Sequence, residues 1–292
     1  MATISDWVSG ARVRTLPLAF SPVILGSAIA GSIDGFDPLI AFLALTVAVF
    51  LQLGVNYSND YSDGVRGTDE FRVGPPRLTG SGTVEAKKVL RVAFGFFALA
   101  ALSGLLIVVI TAQWWMLLLG ALAILAAWYY TGGKDPYGYA GLGELSVFIF
   151  FGPVATLGTS FAQTLVFQPN ALIAGVGLGF IAAAVLVTNN IRDLETDKQA
   201  GKRTLAVFMG SRASKSLYLF LIWAPMIITL PYVIAYPASI LSLLVLLLVI
   251  PLSLLVPTAK KPGELILALK LTSYTSVAWS VTLAIGISFV SF

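Results

Sequence analysis

The sequence predicts an all-α membrane protein, with nine transmembrane helices, a cytoplasmic N-terminus and two helix bundles around a central cavity. Three observations predict it. Of 292 residues, 58% are hydrophobic and 11% charged, where a soluble domain carries about 25% charged residues. Those few charges gather between apolar runs close to the ~20 residues that a bilayer span requires. With the N-terminus inside, all 18 Lys and Arg fall in inside segments or within a few residues of an inside helix end. That is the positive-inside pattern.

The elements follow in order. Residues 1–16 carry Asp6, Trp7, Arg12 and Arg14 without the apolar core and small-residue cleavage site of a signal peptide, and read as a short interfacial helix. The expected spans are 16–33, 38–58, 89–111, 114–131, 143–161, 170–190, 216–235, 238–257 and 267–290. Pro225, Pro231, Pro237 and Pro251 are expected to kink helices or mark their ends. Inside connections are 59–88, 132–142, 191–215 and 258–266. Of the 14 acidic residues, only Asp34 and Asp37 fall outside. The chain reads as a single membrane domain, 1–292, with pseudo-halves at about 38–161 and 170–290. Each half opens with a span that ends in an Asn/Asp motif.

Composition removes several chemistries. There is no cysteine and no histidine, so neither a thiolate nucleophile nor a zinc site of the usual kind can form. Oxygen ligands remain, and they favour Mg²⁺ or a similar hard cation. The net charge of +4 is explained by inside loops without invoking nucleic acid.

The first motif runs Asn56-Tyr57-Ser58-Asn59-Asp60-Tyr61-Ser62-Asp63, and the second Asn189-Asn190-Ile191-Arg192-Asp193-Leu194-Glu195-Thr196-Asp197. Asn59 and Asp63 are four residues apart, as are Asn56 and Asp60, and Asp193 and Asp197. On a helix, residues four apart share a face. If the two helix ends converge, Asn59, Asp60, Asp63, Asp193 and Asp197 can hold one or two Mg²⁺ ions and leave positions for phosphate oxygens. Solvated interfacial loops also carry such acids. Two matched clusters near membrane depth point instead to a site. Basic residues accompany both motifs: Arg66, Arg72 and Arg77 after the first, Arg192, Lys198, Lys202 and Arg203 with the second, and Lys134 between them. Carboxylates, metal, guanidinium and ammonium together suit a diphosphate. Tyr57, Tyr61, Trp128, Tyr129, Tyr130, Tyr137 and Tyr139 gather near inside helix ends, as an interfacial belt or as faces for a cation. Gly141 and Gly143 are expected to let helices approach closely. Glu144, at the start of a span, is a further acid–base or positioning candidate.

These motifs resemble those of the UbiA-type intramembrane prenyltransferases. The likeness is strongest at 59–69 and 189–197 and covers nearly the whole chain. Arg12 to Pro17, Tyr130-Thr131-Gly132-Gly133, residues 136–144 and Lys202-Arg203-Thr204-Leu205-Ala206 are most similar to the branch that prenylates 1,4-dihydroxy-2-naphthoate in menaquinone synthesis. Arg72-Val73-Gly74-Pro75 is similar to actinobacterial members. Where many members place a third Asp four residues after Asp63, this chain has Gly67, with Asp69 the nearest acid.

The resemblance implies Mg²⁺ at Asn59, Asp63, Asp193 and Asp197 with Asp60 close by. It implies a polyprenyl diphosphate held by Arg12, Arg66, Arg72, Lys134, Arg192, Lys198 and Lys202, and a cation faced by Tyr130. The implied catalytic set is Asp60, Asp63, Asp193, Asp197, Lys134 and Tyr130. The implied place is the bacterial cell membrane, with the active site at the cytoplasmic face. Another aromatic acceptor within the family remains open, as does a membrane transporter.

Overall fold

The computed structural model of the protein describes residues 2–68 and 77–289. Every expected span is helical there. After a first short helix α1 (Ile4–Gly10) come α2 (Pro17–Gly31), α3 (Pro38–Val65), α4 (Ala86–Thr111), α5 (Met116–Tyr129) and α6 (Gly143–Thr164). Then follow α7 (Pro169–Arg192), the short α8 (Leu194–Gln199), α9 (Leu205–Ala235), α10 (Pro237–Thr258) and α11 (Pro262–Ser288). No strand occurs among the described residues. Six helices, α3, α4, α6, α7, α9 and α10, are each long and apolar enough to cross a membrane, and the bent pair 4–15 and 17–31 makes a seventh if taken as one span.

Local chemistry sets the helix starts. Asp37 caps α3, its Oδ1 accepting from the amides of Leu39 at 2.8 Å and Ile40 at 3.0 Å. Pro38, Pro169, Pro237 and Pro262 stand in first turns, where a missing N–H costs nothing. Of the other prolines, Pro225 and Pro231 lie inside α9 and Pro251 inside α10, within the spans expected to hold them. The break in α9 is instead at Gly210, whose φ of 76° suits glycine.

The N-terminal segment is fastened to α3. Gln52 Nε2 donates to the Thr15 carbonyl at 2.6 Å, Asn56 Nδ2 to Ala11 at 2.9 Å and the Tyr57 hydroxyl to Trp7 at 2.8 Å.

Helix α3 packs on α4, and α7 packs on α9 and α11, while α2 touches α3, α6, α7 and α11. Helix α7 is the buried centre, with 72% of its most apolar window enclosed. Around it Trp279 donates to Thr229 at 2.9 Å and Tyr218 meets Thr272 at 2.8 Å. These pairs satisfy polar groups that lipid could not. Gly141 and Gly143 are closely packed, as expected: a Cβ on Gly141 would lie 3.0 Å from Phe208, and one on Gly143 3.2 Å from Tyr130 and 3.3 Å from Leu186; backbone meets backbone more closely still at Gly152, Gly175 and Gly179. A Cβ on Gly152 would lie 2.4 Å from the Gly175 carbonyl and 2.6 Å from the Gly179 Cα. A π-type turn over Phe150–Val154, containing Pro153, brings that backbone against α7.

Candidate active site: the charged mouth of a central cavity

Helix α3 runs seven residues past the expected end of its span, so the whole first motif is helical. Gln52, Asn56, Asn59 and Asp63 fall on one stripe and line a cavity of about 580 Å³. Asp60 does not join them. One residue beyond Asn59 is a turn of about 100°, and that rotation aims Asp60 at the following loop. Its two oxygens accept from the backbone amides of Leu78 at 2.9 Å and Thr79 at 2.8 Å. The expectation of Asp60 as a metal ligand and catalytic group is therefore replaced by an anchoring role.

Asp63 is buried among cations and a phenol. Arg77 and Lys202 both contact its carboxylate, Lys202 Nζ at 3.1 Å, and the Tyr139 hydroxyl donates to Oδ1. Arg77 also donates to the Asn59 carbonyl at 3.0 Å. Burial, then the Asp63 charge, pushes the Tyr139 phenol above its ordinary pKa, so it stays a donor. Lys202 and Arg66 lie over the Tyr139 ring, at 4.8 Å and 5.4 Å from its centre. Asn59 Oδ1 accepts from Thr131 at 2.6 Å.

The second motif sits where α7 gives way to α8. Arg192, itself buried, grips Asp193 with both Nε (2.7 Å) and Nη2 (2.5 Å), and donates to Asn189 Oδ1 at 2.8 Å. Arg192 is thus an orienting group for Asp193 and is absent from the cavity lining, while Asn189, Asp193 and Asp197 all line it. The two motifs meet across Lys202. Its Nζ lies 3.1 Å from Asp63 and 4.0 Å from Asp197.

That bridge closes one chamber from two acidic helix ends. The chain belongs to the UbiA prenyltransferase family. The family pattern matches residues 19–262. Relatives include the "1,4-dihydroxy-2-naphthoate octaprenyltransferase" of Mycobacterium tuberculosis, 43% identical over 99% of both chains. The Escherichia coli protein of the same name is 39% identical over 70% of this chain and 68% of its own. In fold, the chain is similar to a UbiA homologue from Aeropyrum pernix, with a TM-score of 0.69, 17% identity and all of both chains covered. It is also similar to an Archaeoglobus fulgidus homologue described as bound to GPP and Mg²⁺, with a TM-score of 0.61, 16% identity, and 93% of this chain and 98% of that one covered.

Of the other residues singled out in this UbiA chain, Arg12 and Tyr130 line the cavity. Arg12 reaches it from a backbone with φ of 52°. Lys134, Arg66 and Lys198 are exposed and outside the lining. Arg66 is spent on the carbonyls of Thr131 and Gly133, which ties α3 to the 131–133 loop. Arg72 lies outside the described residues, as does Asp69. Glu144 is buried away from the lining and accepts from Asn190 at 2.8 Å. Arg77 and Tyr139 are the site residues that sequence reasoning left out of its ligand set. Both were visible in the basic run after the first motif and the aromatic run before α6, but nothing local aims them at Asp63.

Among the described residues, no three acidic side chains cluster as a metal cage. The donor set still fits Mg²⁺. It is all oxygen, buried, contributed from two sides of one cavity, and Mg²⁺ is commonly held by one or two carboxylates plus substrate phosphate oxygens.

Proposed function

We propose that this protein transfers a polyprenyl group from a polyprenyl diphosphate to 1,4-dihydroxy-2-naphthoate, releasing diphosphate and CO₂ and giving demethylmenaquinol. The observation that carries it is the Lys202 bridge between Asp63 and Asp197 at the polar end of an otherwise apolar cavity. The acceptor is the one printed in the names of relatives 34–43% identical over most of the chain.

Asn59, Asp63, Asp193 and Asp197 would hold Mg²⁺, which supplies positive charge to the diphosphate. Arg12, Arg77 and Lys202, which line the mouth, neutralise its remaining oxygens. Fixed positive groups favour the developing charge of the leaving diphosphate. As the allylic C–O bond breaks, the Tyr130 ring, in the lining, faces the carbocation. The electron-rich ring carbon of the acceptor forms the new C–C bond, losing CO₂ and a proton. Apolar walls such as Leu51, Val108 and Phe151 keep water from the cation.

The chain forms one membrane domain of two pseudo-halves, 38–161 and 170–290. It sits in the bacterial plasma membrane with nine spans, the N-terminus inside and the site facing the cytoplasm. The positive-inside census and the nine apolar helical segments support this arrangement.

The test is to incubate purified protein in lipid with a polyprenyl diphosphate and a panel of aromatic acceptors, and to read products by mass. Prenylated, decarboxylated naphthoate with released diphosphate is expected. Preference for another acceptor would overturn the assignment of the naphthoate. Solute flux in liposomes without diphosphate release would overturn the enzyme reading.

A further inference from the structure

Glu144 has no part in the chamber described so far, yet it is a carboxylate buried in a membrane bundle, where such a group is costly and marks a function. It stands in the first turn of α6, 7% exposed and outside the cavity lining. Its partner is Asn190, whose Nδ2 donates to Glu144 Oε1 at 2.8 Å. Asn190 is on α7, one residue after Asn189, and it does line the cavity. The pairing fixes which way the amide faces. The carboxylate accepts, so the NH₂ end is turned back to Glu144. The two ends of a planar amide point apart. With Nδ2 held behind the wall, Oδ1 is the end that Asn190 presents to the cavity, and it has no hydrogen-bond partner among the described residues.

The same wall carries a second oxygen of this kind. The Tyr137 hydroxyl gives its hydrogen to the Ala126 carbonyl at 2.7 Å. A phenol has one hydrogen, so at the 2.9 Å contact with Ser146 it is Ser146 that donates. Ser146 also lines the cavity, and with its hydrogen spent its oxygen is left to accept. Asn190 and Ser146 therefore ask for an O–H or N–H donor. A polyprenyl diphosphate has none, being hydrocarbon and ionised phosphate oxygens. The metal candidates lie on another face of α7: one residue is a turn of about 100°, which sets Asn190 apart from Asn189 and Asp193, both held by Arg192. The dihydroxynaphthoate brings two hydroxyls. Its 1-hydroxyl is taken by the adjacent carboxylate within the molecule, and its 4-hydroxyl has no such neighbour. The wall also abuts the ring proposed to face the carbocation, since a Cβ on Gly143 would lie 3.2 Å from the Tyr130 hydroxyl.

We infer that Asn190 binds the acceptor, its Oδ1 accepting from the 4-hydroxyl of the dihydroxynaphthoate, and that Glu144 is the positioning residue that keeps this oxygen turned inward. This rests on the prenyltransferase reading above. The bond does two things. It holds the acceptor ring against the α6–α7 wall beside Tyr130. It also draws the hydroxyl hydrogen away from its oxygen, which raises the electron density of the neighbouring ring carbon for attack on the carbocation.

The test uses full-length protein in lipid with octaprenyl diphosphate and two acceptors, 1,4-dihydroxy-2-naphthoate and its 4-O-methyl ether. The ether keeps an electron-rich ring, but its 4-oxygen cannot donate. The unaltered protein should favour the dihydroxy acceptor about ten- to a hundredfold in kcat/KM. Asn190→Ala should bring that ratio to within a few-fold of one by slowing the dihydroxy acceptor, with the donor KM changed no more than a few-fold. Glu144→Gln keeps the shape, but a Gln amide can meet either end of Asn190, so the ratio should fall part of the way. This variant serves if Asn190→Ala does not fold. A ratio near one in the unaltered protein, an undiminished ratio in a folded variant, or a change confined to the donor KM would overturn the inference. Failure of the prenyltransferase reading would look different: the unaltered protein would prenylate neither acceptor.

Discussion

Asp60 gives the sharpest separation between anchoring and chemistry. It stands inside the first motif, between Asn59 and the ligand candidate Asp63, yet both of its oxygens bind the amides of Leu78 and Thr79. Asp60→Asn keeps the shape but turns one oxygen into an NH₂ group facing an N–H. One charge-assisted bond, worth about 1.5–3 kcal/mol, is lost, and a buried amide is left unsatisfied at about 1–3 kcal/mol. A net destabilisation of about 2–4 kcal/mol is expected, since the two costs overlap. The loop so loosened carries Arg77, which contacts Asp63, so the donor KM should rise while kcat per folded molecule stays within a few-fold. The assay pairs a thermal challenge, read by size-exclusion chromatography in detergent, with initial rates normalised to the surviving monodisperse peak. A variant as heat-stable as the parent but slowed more than a hundredfold in kcat would place Asp60 in the chemistry and refute the anchoring argument.

Asp63→Asn and Asp193→Asn should each cut turnover by orders of magnitude at near-normal expression; rates within a few-fold of the parent would remove these carboxylates from the ligand set. Lys202→Met removes contacts to Asp63 and Asp197. At about 1.5–3 kcal/mol for a charge-assisted bond and tenfold per 1.4 kcal/mol, the donor KM should rise about ten- to a hundredfold, measured by donor titration at saturating acceptor. Chelation with EDTA should abolish transfer and added Mg²⁺ restore it; EDTA-insensitive product formation would contradict the metal. Gly152→Ala sets a methyl against α7 backbone and should reduce the folded fraction through overpacking of about 1–3 kcal/mol or more, read as a lower melting temperature.

The helices were legible because membrane helices must be apolar over a fixed length, so all nine apolar runs appear as helical segments near their expected bounds. Their polar ends were harder. Residues 59–65 have no apolar periodicity to mark them as helix, and α3 continues through them because the cavity and its loop satisfy Asn59, Asp60 and Asp63. Spacing alone put Asp60 with Asn56 on one face, but the stripe that reaches the cavity is 52, 56, 59 and 63. Only the placement of the 77–80 loop decides between them. Lys202 was identified from the basic run after the second motif; Arg66 and Lys134, of equal standing in sequence, were separated from it only by which loops face inward. The non-helical break in α9 carries no proline signal: Pro225 and Pro231 lie within the helix, which a membrane bundle tolerates, while the break falls at Gly210.

The charge balance at the mouth links the fold to the proposed metal. Among the described residues, the cavity lining holds Arg12, Arg77 and Lys202 with Asp63, Asp193 and Asp197, so three cations meet three carboxylates. That near-neutrality is what allows so many charges at the end of a membrane bundle, where an unpaired one is costly. It also means that the protein's own cations are already largely matched. A prenyl diphosphate brings several further negative charges into the same space, more than a balanced lining can meet. A divalent ion, bridging carboxylates on one side and phosphate oxygens on the other, restores the balance without a new basic residue. On this balance, two acidic helix ends converging on one cavity support the proposed cation that arrives with the substrate.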